Sequence, residues 1–356
     1  LIDMEMVQFH PSGMLLPEEI AGTLVTEAVR GEGGKLINNN GERFMINYDK
    51  ERMELSTRDK VAIANYTEIA EGRGTKNGGV YLDISHKSKE FIIKKIPSIY
   101  RQFLDTQMLD ISKEPMEVAP TAHYSMGGIS VNSVDHSTPI SGLFAAGEVA
   151  GGLHGANRLG GNLLAEILIF GKRAGLASIH YSKQLNAQIR SNSVIMKAHE
   201  NINKFIKKGP ELAKPLQHQL SHIMWEHCGV IKEKESMKNG LLKIKEIRNI
   251  LKEVDVRIDH QSCDDLIQIL NLESSLISAE ATIISALHRE ESRGAHQRSD
   301  YPELKDSGLC NYQVKLNQQS LELIVTEKKI NPLRKDLKAL TKQTNKIFNF
   351  KGKLIE

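Results

Sequence analysis

The sequence has few cysteines, few aromatic residues and no long apolar run. Its three cysteines, Cys228, Cys263 and Cys310, lie far apart without a CxxC pair. This spacing argues against a disulfide scaffold, a zinc site or an iron–sulfur cluster held by this chain alone, so no metal ligands are predicted. No apolar stretch approaches the roughly 20 residues of a membrane span, and no signal peptide is visible. A cytoplasmic location is therefore expected.

Strong positive charge and a complete dinucleotide-binding fingerprint are also missing. The net charge is only +3 and the basic residues are scattered, which argues against nucleic acid as the main partner. No GxGxxG run follows a strand and opens a helix, as a complete dinucleotide-binding protein would normally show. Residue 1 is leucine, and the pattern at 1–10 begins inside a strand. We therefore expect a fragment whose front part is missing.

Glycine, in contrast, is concentrated in one segment. Eight glycines lie between Gly147 and Gly175, in the run AAGEVAGGLHGANRLGGNLLAEILIFGKRAG at 145–175. Glycines allow a close approach of the backbone, and a helix N-terminus attracts anionic or electron-rich groups. The segment therefore predicts a contact with a flavin dinucleotide.

Apolar periodicity predicts a mixed chain that becomes helical after residue 180. In the first half, strands are predicted at 1–10, 78–85 and 143–147, a hairpin at 31–45, and a strand–turn–strand unit at 117–131. Helices are predicted at 54–71, at 87–109 with a break near Pro97, and at 161–180. In the second half, helices are predicted at 183–208, 211–228, 236–254 and 262–291, a strand-like tail at 310–330, and a solvated helix at 331–348.

Polar residues gather in four turns that are flanked by apolar runs. These turns carry His10, the group Thr26, Glu27 and Arg30, the pair Arg58 and Asp59, and the group His123, Glu148, His154 and Arg158. A guanidinium presents a planar fork of donors that matches a carboxylate. Several such groups with histidine and threonine donors suit a small dicarboxylate.

Seven segments together resemble one family. QFHPSG, TEAVRGEGG, ELSTRDK, AHYSMGGI, AAGE, HGANRLGGN and ESRGAH stand in the order found in the succinate dehydrogenase/fumarate reductase flavoprotein subunit. The resemblance extends from residue 1 to about residue 305. ERMELSTRD, the ANYTEIAEGRG helix and IYRQFLD are similar to the thiol-driven (CoM/CoB) fumarate reductase flavoproteins of methanogens.

The resemblance implies an α+β fold built from an incomplete α/β FAD-binding domain, an inserted α+β capping domain and a C-terminal helical domain. The implied parts are 1–9 as the end of the first FAD-domain segment, 10–122 as the capping domain, 123–180 as the second FAD-domain segment, 181–305 as the helical domain and 306–356 as the tail.

The resemblance also implies FAD-dependent reduction of fumarate or oxidation of succinate. Arg58 would transfer the proton and Glu27 with Arg30 would replace it. The substrate carboxylates would be held by His10, Thr26, His123 and Arg158. FAD would be bound by Gly147, Glu148, Gly160, Asn162 and Leu163. The implied electron partner is an iron–sulfur subunit, through which the chain could lie peripherally at the inner face of a membrane.

Two alternatives remain open at this point. L-Aspartate oxidase shares much of the motif set and would act on an amino acid. A truncated, non-catalytic remnant would be unable to bind FAD. Simpler structural roles are also open for individual residues: His154 could line the site or only pack beside the flavin. Arg293, His296 and Arg298 are expected to be polar structural residues that bridge the helical domain to the core.

Overall fold

A four-stranded antiparallel sheet organises the first part of the chain. This computed structural model describes residues 1–186, 191–258, 263–317, 319–320, 322–332 and 334–337. The strands of the sheet are β1 (Val7–Met14), β2 (Lys35–Ile37), β3 (Val80–Asp83) and β4 (Met116–Ser125). Their spatial order is β1-β4-β3-β2, and every neighbouring pair is antiparallel.

Five helices lie between these strands in the chain and surround the core of this sheet. They are α1 (Ala28–Gly31), α2 (Met45–Tyr48), α3 (Arg58–Glu68), α4 (Lys89–Lys95) and α5 (Pro97–Gln107). Leu36, Val61, Leu82 and Phe103 are fully buried within one apolar cluster. Proline is compatible with the first position of a helix but not with its interior, which explains the break between α4 and α5 at Pro97.

Helix α3, which begins at the predicted proton donor Arg58, packs beside an irregular part of β1. The pairing of β1 with β4 shifts register on both sides of Phe9–His10, and such bulges re-aim side chains. Asn65 of α3 donates to the carbonyl of Pro11 at 2.8 Å. Because α3 begins at Arg58, this packing brings its N-terminus to the sheet edge that carries His10.

The glycine-rich region links a small parallel strand pair to a long helix. The pair is β5 (Ile129–Ser130) and β6 (Ala150–Gly151), and the helix is α6 (Asn162–Lys183). A Cβ at Gly128 would lie 2.3 Å from the carbonyl oxygen of Val149. Only glycine fits there without movement of the backbone.

A second apolar core lies in the later, helical part of the chain. Its helices are preceded by α7 (Asn192–Asn203), which buries none of its residues. The core is built from α8 (Ala213–Cys228), α9 (Lys234–Ile250) and α10 (Asp264–His288). Leu216, Ile244, Leu276 and Ile283 are among its buried residues. The following hairpin pairs β7 (Cys310–Leu316) with β8 (Leu323–Lys329).

A buried ion cluster joins the segment after α10 to the segment before β1. Arg289 Nε donates to Glu5 Oε1 at 2.7 Å, and its Nη1 donates to Glu291 Oε1 at 3.0 Å. The side chain of Arg289 is only 2% exposed, as a charge of this kind can be when carboxylates pair with it. The cluster therefore fixes the start of β1 to the helical part of the chain.

Two predicted elements are wrong. Residues 31–45 do not form a hairpin: β2 pairs with β3, and the chain after the turn at 39–41 enters α2. Residues 143–147 are not a strand, because Phe144 forms only an isolated bridge with Ser137. Most of the solvated helix predicted at 331–348, namely 333 and 338–348, lies outside the described residues.

Candidate active site

The three arginines of the predicted site line one cleft of about 460 Å³. The cleft lies where α1 and the start of α3 face the loop that precedes α6. The predicted residues among those that line it are Glu27, Arg30, Arg58, Arg158 and Gly160. They come from three distant parts of the sequence, and the fold brings them together.

Arg158 forms the floor of the cleft on the α6 side. Its Nη2 donates to Gln8 Oε1 at 3.1 Å and lies 3.1 Å from His123 Nε2. Its guanidinium carbon lies 4.5 Å from the centre of the Tyr124 ring, a cation–π distance. Its Nε is buried and has no hydrogen-bond partner. Arg158 is thus fixed on three sides and retains an unused donor.

Arg58, Glu27 and Arg30 form a connected chain on the opposite side. Arg58 Nε donates to Glu27 Oε1, and Arg30 Nη2 lies 3.5 Å from the same oxygen. Arg30 Nη1 also donates to the carbonyl of Glu54 at 2.6 Å. Glu27 therefore contacts both Arg58 and Arg30, so the three residues of the predicted proton path are neighbours.

The two predicted substrate histidines lie in ring contact. The centroids of His10 and His123 are 5.4 Å apart, and His123 connects this pair to Arg158. Thr26 precedes α1 beside Glu27; it is exposed, and its hydroxyl accepts the amide of Ala28 at 3.4 Å. Thr26 is the predicted substrate residue with the weakest geometric connection to the cleft.

Burial and mutual repulsion alter the titration of these groups. Burial and the neighbouring His123 lower the pKa of His10 to about 4. Burial and the charges of Arg58 and Arg158 also lower the pKa of His123. Burial works against ionisation of Glu27, but the hydrogen bond and charge of Arg58 and the charge of Arg30 outweigh it and lower the pKa of this carboxyl. His10 and His123 do not line the cleft themselves, but His123 contacts Arg158, so imidazoles that are neutral at neutral pH lie behind the guanidinium groups that do.

Unpartnered donors make this cleft suitable for an anion. Besides Arg158 Nε, the atoms Arg58 Nη1 and Arg30 Nε are buried without a hydrogen-bond partner. Buried polar groups are normally satisfied, so such donors need an explanation. A small molecule with carboxylates at both ends would supply acceptors on the two sides of the cleft.

The residues predicted to bind FAD lie along the glycine-rich segment beside this cleft. Gly147 has a φ of +81°, and the neighbouring Glu148 accepts the amide of Ser125 at 2.9 Å. Gly161, with a φ of +84°, precedes α6, whose first residues are Asn162 and Leu163.

The shape and donors of this segment fit a flat, phosphate-bearing cofactor. Side chains built at Gly155 and Gly161 would meet nothing within 4 Å, so free space lies in front of the backbone. The N-terminus of the 22-residue helix α6 carries no side-chain cap, which leaves amides for an anionic group. A Cβ at Gly160 would lie 3.6 Å from Arg58 Nη2, so the same segment reaches the cleft.

Sequence reasoning missed two groups that support the site. Gln8 is 2% exposed and contacts Arg158; it lies two residues before His10 in β1, and this period-two spacing is the signal that could have found it. Tyr124 donates to Glu166 in α6. His154, for which two roles were open, lies 2.9 Å from Glu166 and is not among the residues that line the cleft.

The ESRGAH segment lies outside the cleft. His296 is fully buried and donates from Nε2 to the carbonyl of Arg289 at 3.2 Å. Arg298 pairs with Asp300 at 2.6 Å, and Arg293 pairs with Glu291 at 2.7 Å. These contacts fit the structural role expected for the three residues.

A larger groove of about 890 Å³ lies between the β1–β4 edge and helices α8 and α10. Phe9, Met224 and Trp225 form apolar parts of its wall, and Ser278 and Thr282 are among the polar ones. It contains none of the clustered arginines, so we place the candidate site in the smaller, cationic cleft.

Neither a metal centre nor a membrane-spanning helix is found in the described part of the chain. Its histidine, cysteine, aspartate and glutamate side chains form no group of three or more that could hold a metal ion. None of its helices combines the length and the apolar character needed to cross a bilayer.

Two family models match separate parts of the chain. Residues 1–164 match the model of the FAD binding domain, and residues 217–349 match that of the fumarate reductase flavoprotein C-term.

Individual relatives point the same way. A fumarate reductase (CoM/CoB) subunit of Methanothermobacter marburgensis is 47% identical over 86% of this chain and 55% of its own length. A Rickettsia felis succinate dehydrogenase flavoprotein subunit is 36% identical over 93% of this chain and 57% of its own length. This chain therefore spans just over half the length of these relatives.

The fold agrees with solved structures. Mycobacterium smegmatis Sdh1 in complex with UQ1 superposes with a TM-score of 0.84 at 35% identity, over 96% of this chain and 58% of that one. A point variant of the E. coli quinol fumarate reductase FrdA gives 0.84 at 33% identity, over 94% and 60%. Together the comparisons confirm the predicted family, the α+β fold class and FAD as the predicted cofactor. The domain boundaries and the roles of single residues stay predictions.

Proposed function

Because this chain belongs to the succinate dehydrogenase and fumarate reductase flavoprotein family, we propose that it interconverts fumarate and succinate with FAD. The observation that carries the proposal is the cleft in which Arg30, Arg58 and Arg158 each retain a buried, unpartnered N–H. A C4 dicarboxylate has acceptors at both ends and could accept from these donors on both sides of the cleft. No direction of reaction is assigned.

Arg158 and the histidine pair bind one carboxylate in this proposal. Arg158 offers its free Nε, and a charged hydrogen bond of this kind contributes about 1.5–3 kcal/mol. His10 and His123, with their lowered pKa values, act as neutral hydrogen-bonding groups rather than as additional cations. Thr26 adds a hydroxyl at the rim, as the family resemblance implies.

Arg58 transfers the proton. During fumarate reduction, a hydride forms a C–H bond at one alkene carbon while Arg58 gives a proton to the other, and the π bond breaks. An isolated guanidinium has a pKa above about 12, so the lost proton must be replaced. Glu27 contacts Arg58 directly and Arg30 lies next in the chain of contacts. Burial lowers the pKa of Arg30, which favours its role in proton return.

FAD, when bound, supplies or accepts the hydride. Gly147, Glu148, Gly160, Asn162 and Leu163 would hold it through the backbone and the one carboxylate. Arg58 and Arg158 draw electron density from the double bond by clamping the substrate, and they stabilise negative charge as it develops. The loop that carries Arg158 and Gly160 also lines one side of the cleft.

The proposed electron partner is an iron–sulfur subunit. The relatives are themselves named as subunits, which supports an assembly in which another chain delivers or removes the electrons. The match to the fumarate reductase (CoM/CoB) subunit supports a thiol-linked electron source. We also propose a cytoplasmic location, peripheral to the membrane where partner subunits attach the protein.

Purified protein tests the proposal in two steps. The protein should first be examined for a flavin absorption spectrum after incubation with FAD; a protein that holds no flavin would favour the non-catalytic remnant. The flavin-loaded protein should then be assayed with a reduced viologen dye and fumarate, with succinate and an acceptor dye, and with L-aspartate. Turnover of aspartate without turnover of either dicarboxylate would contradict the proposal and favour L-aspartate oxidase.

A further inference from the structure

Gln8 contacts both ends of the arginine that forms the floor of the cleft. Its Oε1 accepts from Arg158 Nη2 at 3.1 Å, and its Nε2 donates to the backbone carbonyl of Arg158 at 2.8 Å and to Asn157 Oδ1 at 2.6 Å. We propose that Gln8 is a positioning residue that fixes Arg158 while leaving its positive charge available to a substrate carboxylate. This inference rests on the proposed dicarboxylate function.

The surroundings of Gln8 make it a rigid anchor. Gln8 lies in a paired strand and is 2% exposed, so its amide has little freedom to move. Its donor side holds the loop at 157–158, and its acceptor side holds the guanidinium. Arg158 would otherwise retain the rotational freedom of a long side chain, which substrate binding would have to remove.

The buried arginines differ in whether a carboxylate pairs with their positive charge, and Arg158 is the exception among those described. Four arginines in the described part of the chain are buried: Arg30, Arg158, Arg289 and Arg298. Three of them have a carboxylate within salt-bridge distance, namely Glu27, Glu5 with Glu291, and Asp300. Among the described residues, no carboxylate lies that close to Arg158.

The groups that do touch Arg158 are neutral or aromatic. They are the Gln8 amide, the His123 imidazole and the face of the Tyr124 ring. Burial and then the charge of Arg58 lower the pKa of Arg158, and Glu148 and Glu166, which lie beyond salt-bridge distance, offset this only in part. A buried cation without a counter-ion is costly. The arrangement is therefore explained if the substrate supplies the missing negative charge.

Glutamate in place of Gln8 keeps an acceptor for the guanidinium, removes the donor to the loop at 157–158 and adds a negative charge. The two side chains have nearly the same size, and a carboxylate would still accept from Arg158. It would, however, neutralise the guanidinium and repel an incoming dicarboxylate. If Gln8 serves only packing, this substitution leaves the affinity for the dicarboxylate intact. If Gln8 keeps the charge of Arg158 available to the substrate, the substitution lowers that affinity.

The experiment compares Gln8→Glu with wild type in the flavin-loaded enzyme. The readouts are the Kd for fumarate and for malonate from flavin difference spectra, KM and kcat separately, flavin content and melting temperature. We expect Kd and KM to rise at least about tenfold, the effect of losing one charged hydrogen bond, with a smaller fall in kcat because Arg58 and Glu27 are unchanged. Gln107→Glu, the same substitution in α5, is the matched control and should leave Kd unchanged.

Gln8→Asn keeps the experiment decisive if the glutamate variant loses flavin or fails to fold. It retains a neutral amide but is one methylene shorter. We expect fumarate binding to weaken about two- to tenfold, because the neutral hydrogen bond to the Arg158 carbonyl is lost. Fumarate affinity within twofold of wild type in the folded variant would overturn the inference and leave the proposed function intact. A wild-type enzyme that binds no dicarboxylate would overturn both.

Discussion

His10 should make the folded protein sensitive to acid, and His10→Asn should remove part of this sensitivity. The imidazole is 3% exposed, and its Nδ1 lies 3.1 Å from the carbonyl and 3.2 Å from the amide of Ser12. Burial, with the adjacent His123 and the charge of Arg58, lowers the pKa of His10 to about 4. Asparagine can place an amide near the Nδ1 position but cannot take up a proton in this range.

Proton uptake by this histidine differs between the folded and unfolded states. An unfolded histidine has a pKa of about 6.5, so between about pH 6.5 and pH 4 the unfolded chain binds a proton that folded His10 does not. The free energy of unfolding therefore falls as the pH decreases through this window and is greatest above it. At 1.36 kcal/mol per pKa unit, the roughly 1.5 units between pH 6.5 and pH 5 correspond to about 2 kcal/mol.

Urea denaturation at pH 7 and pH 5 measures this contribution. We expect wild type to lose about 2 kcal/mol more of its free energy of unfolding between the two pH values than His10→Asn loses. His218→Asn, at an exposed position of α8, controls for the removal of an imidazole as such. Equal losses in wild type and His10→Asn, within about 0.5 kcal/mol, would refute the assignment of a buried, neutral His10.

Three further substitutions test the site. Arg58→Ala should nearly abolish turnover while fumarate still binds with a measurable Kd; near-normal kcat would remove Arg58 from proton transfer. Arg158→Ala should raise the Kd for fumarate by at least about tenfold, because at least one charged hydrogen bond is lost; an unchanged Kd would contradict its role as a clamp. Gly128→Ala should reduce flavin content, since its Cβ would lie 2.3 Å from the carbonyl of Val149 and separate β5 from β6; full flavin occupancy would show that the backbone there can move.

Local patterns in the sequence predicted much of the fold. The helix α6 is preceded by Gly161 and carries a regular apolar pattern, and Pro97 separates α4 from α5 as expected. The two errors concern pairing. The strand β2 binds β3, more than 40 residues away, instead of closing a local hairpin. The apolar run at 143–147 has the composition of a strand but forms no ladder with a neighbour in the described structure.

The site was predictable as a set of residue types but not as a network. The family resemblance named Arg58, Glu27 and Arg158 as candidates, and the structure brings these three residues to one cleft; their roles stay predictions. Gln8 contacts Arg158 across 150 positions, and only its period-two spacing from His10 along β1 could have pointed to it. Arg289 was missed for the same reason, since its partner Glu5 lies 284 residues away.

Buried contacts link the proposed cofactor segment to the proposed substrate clamp. Glu166, 4% exposed in α6, accepts from Tyr124 of β4 and lies 2.9 Å from His154 Nε2. The Tyr124 ring in turn packs against the guanidinium of Arg158. We therefore expect a displacement of the start of α6 to be transmitted through these buried contacts to Arg158. The geometry thus gives a physical reason why binding of a cofactor at α6 and binding of a carboxylate at Arg158 should depend on each other.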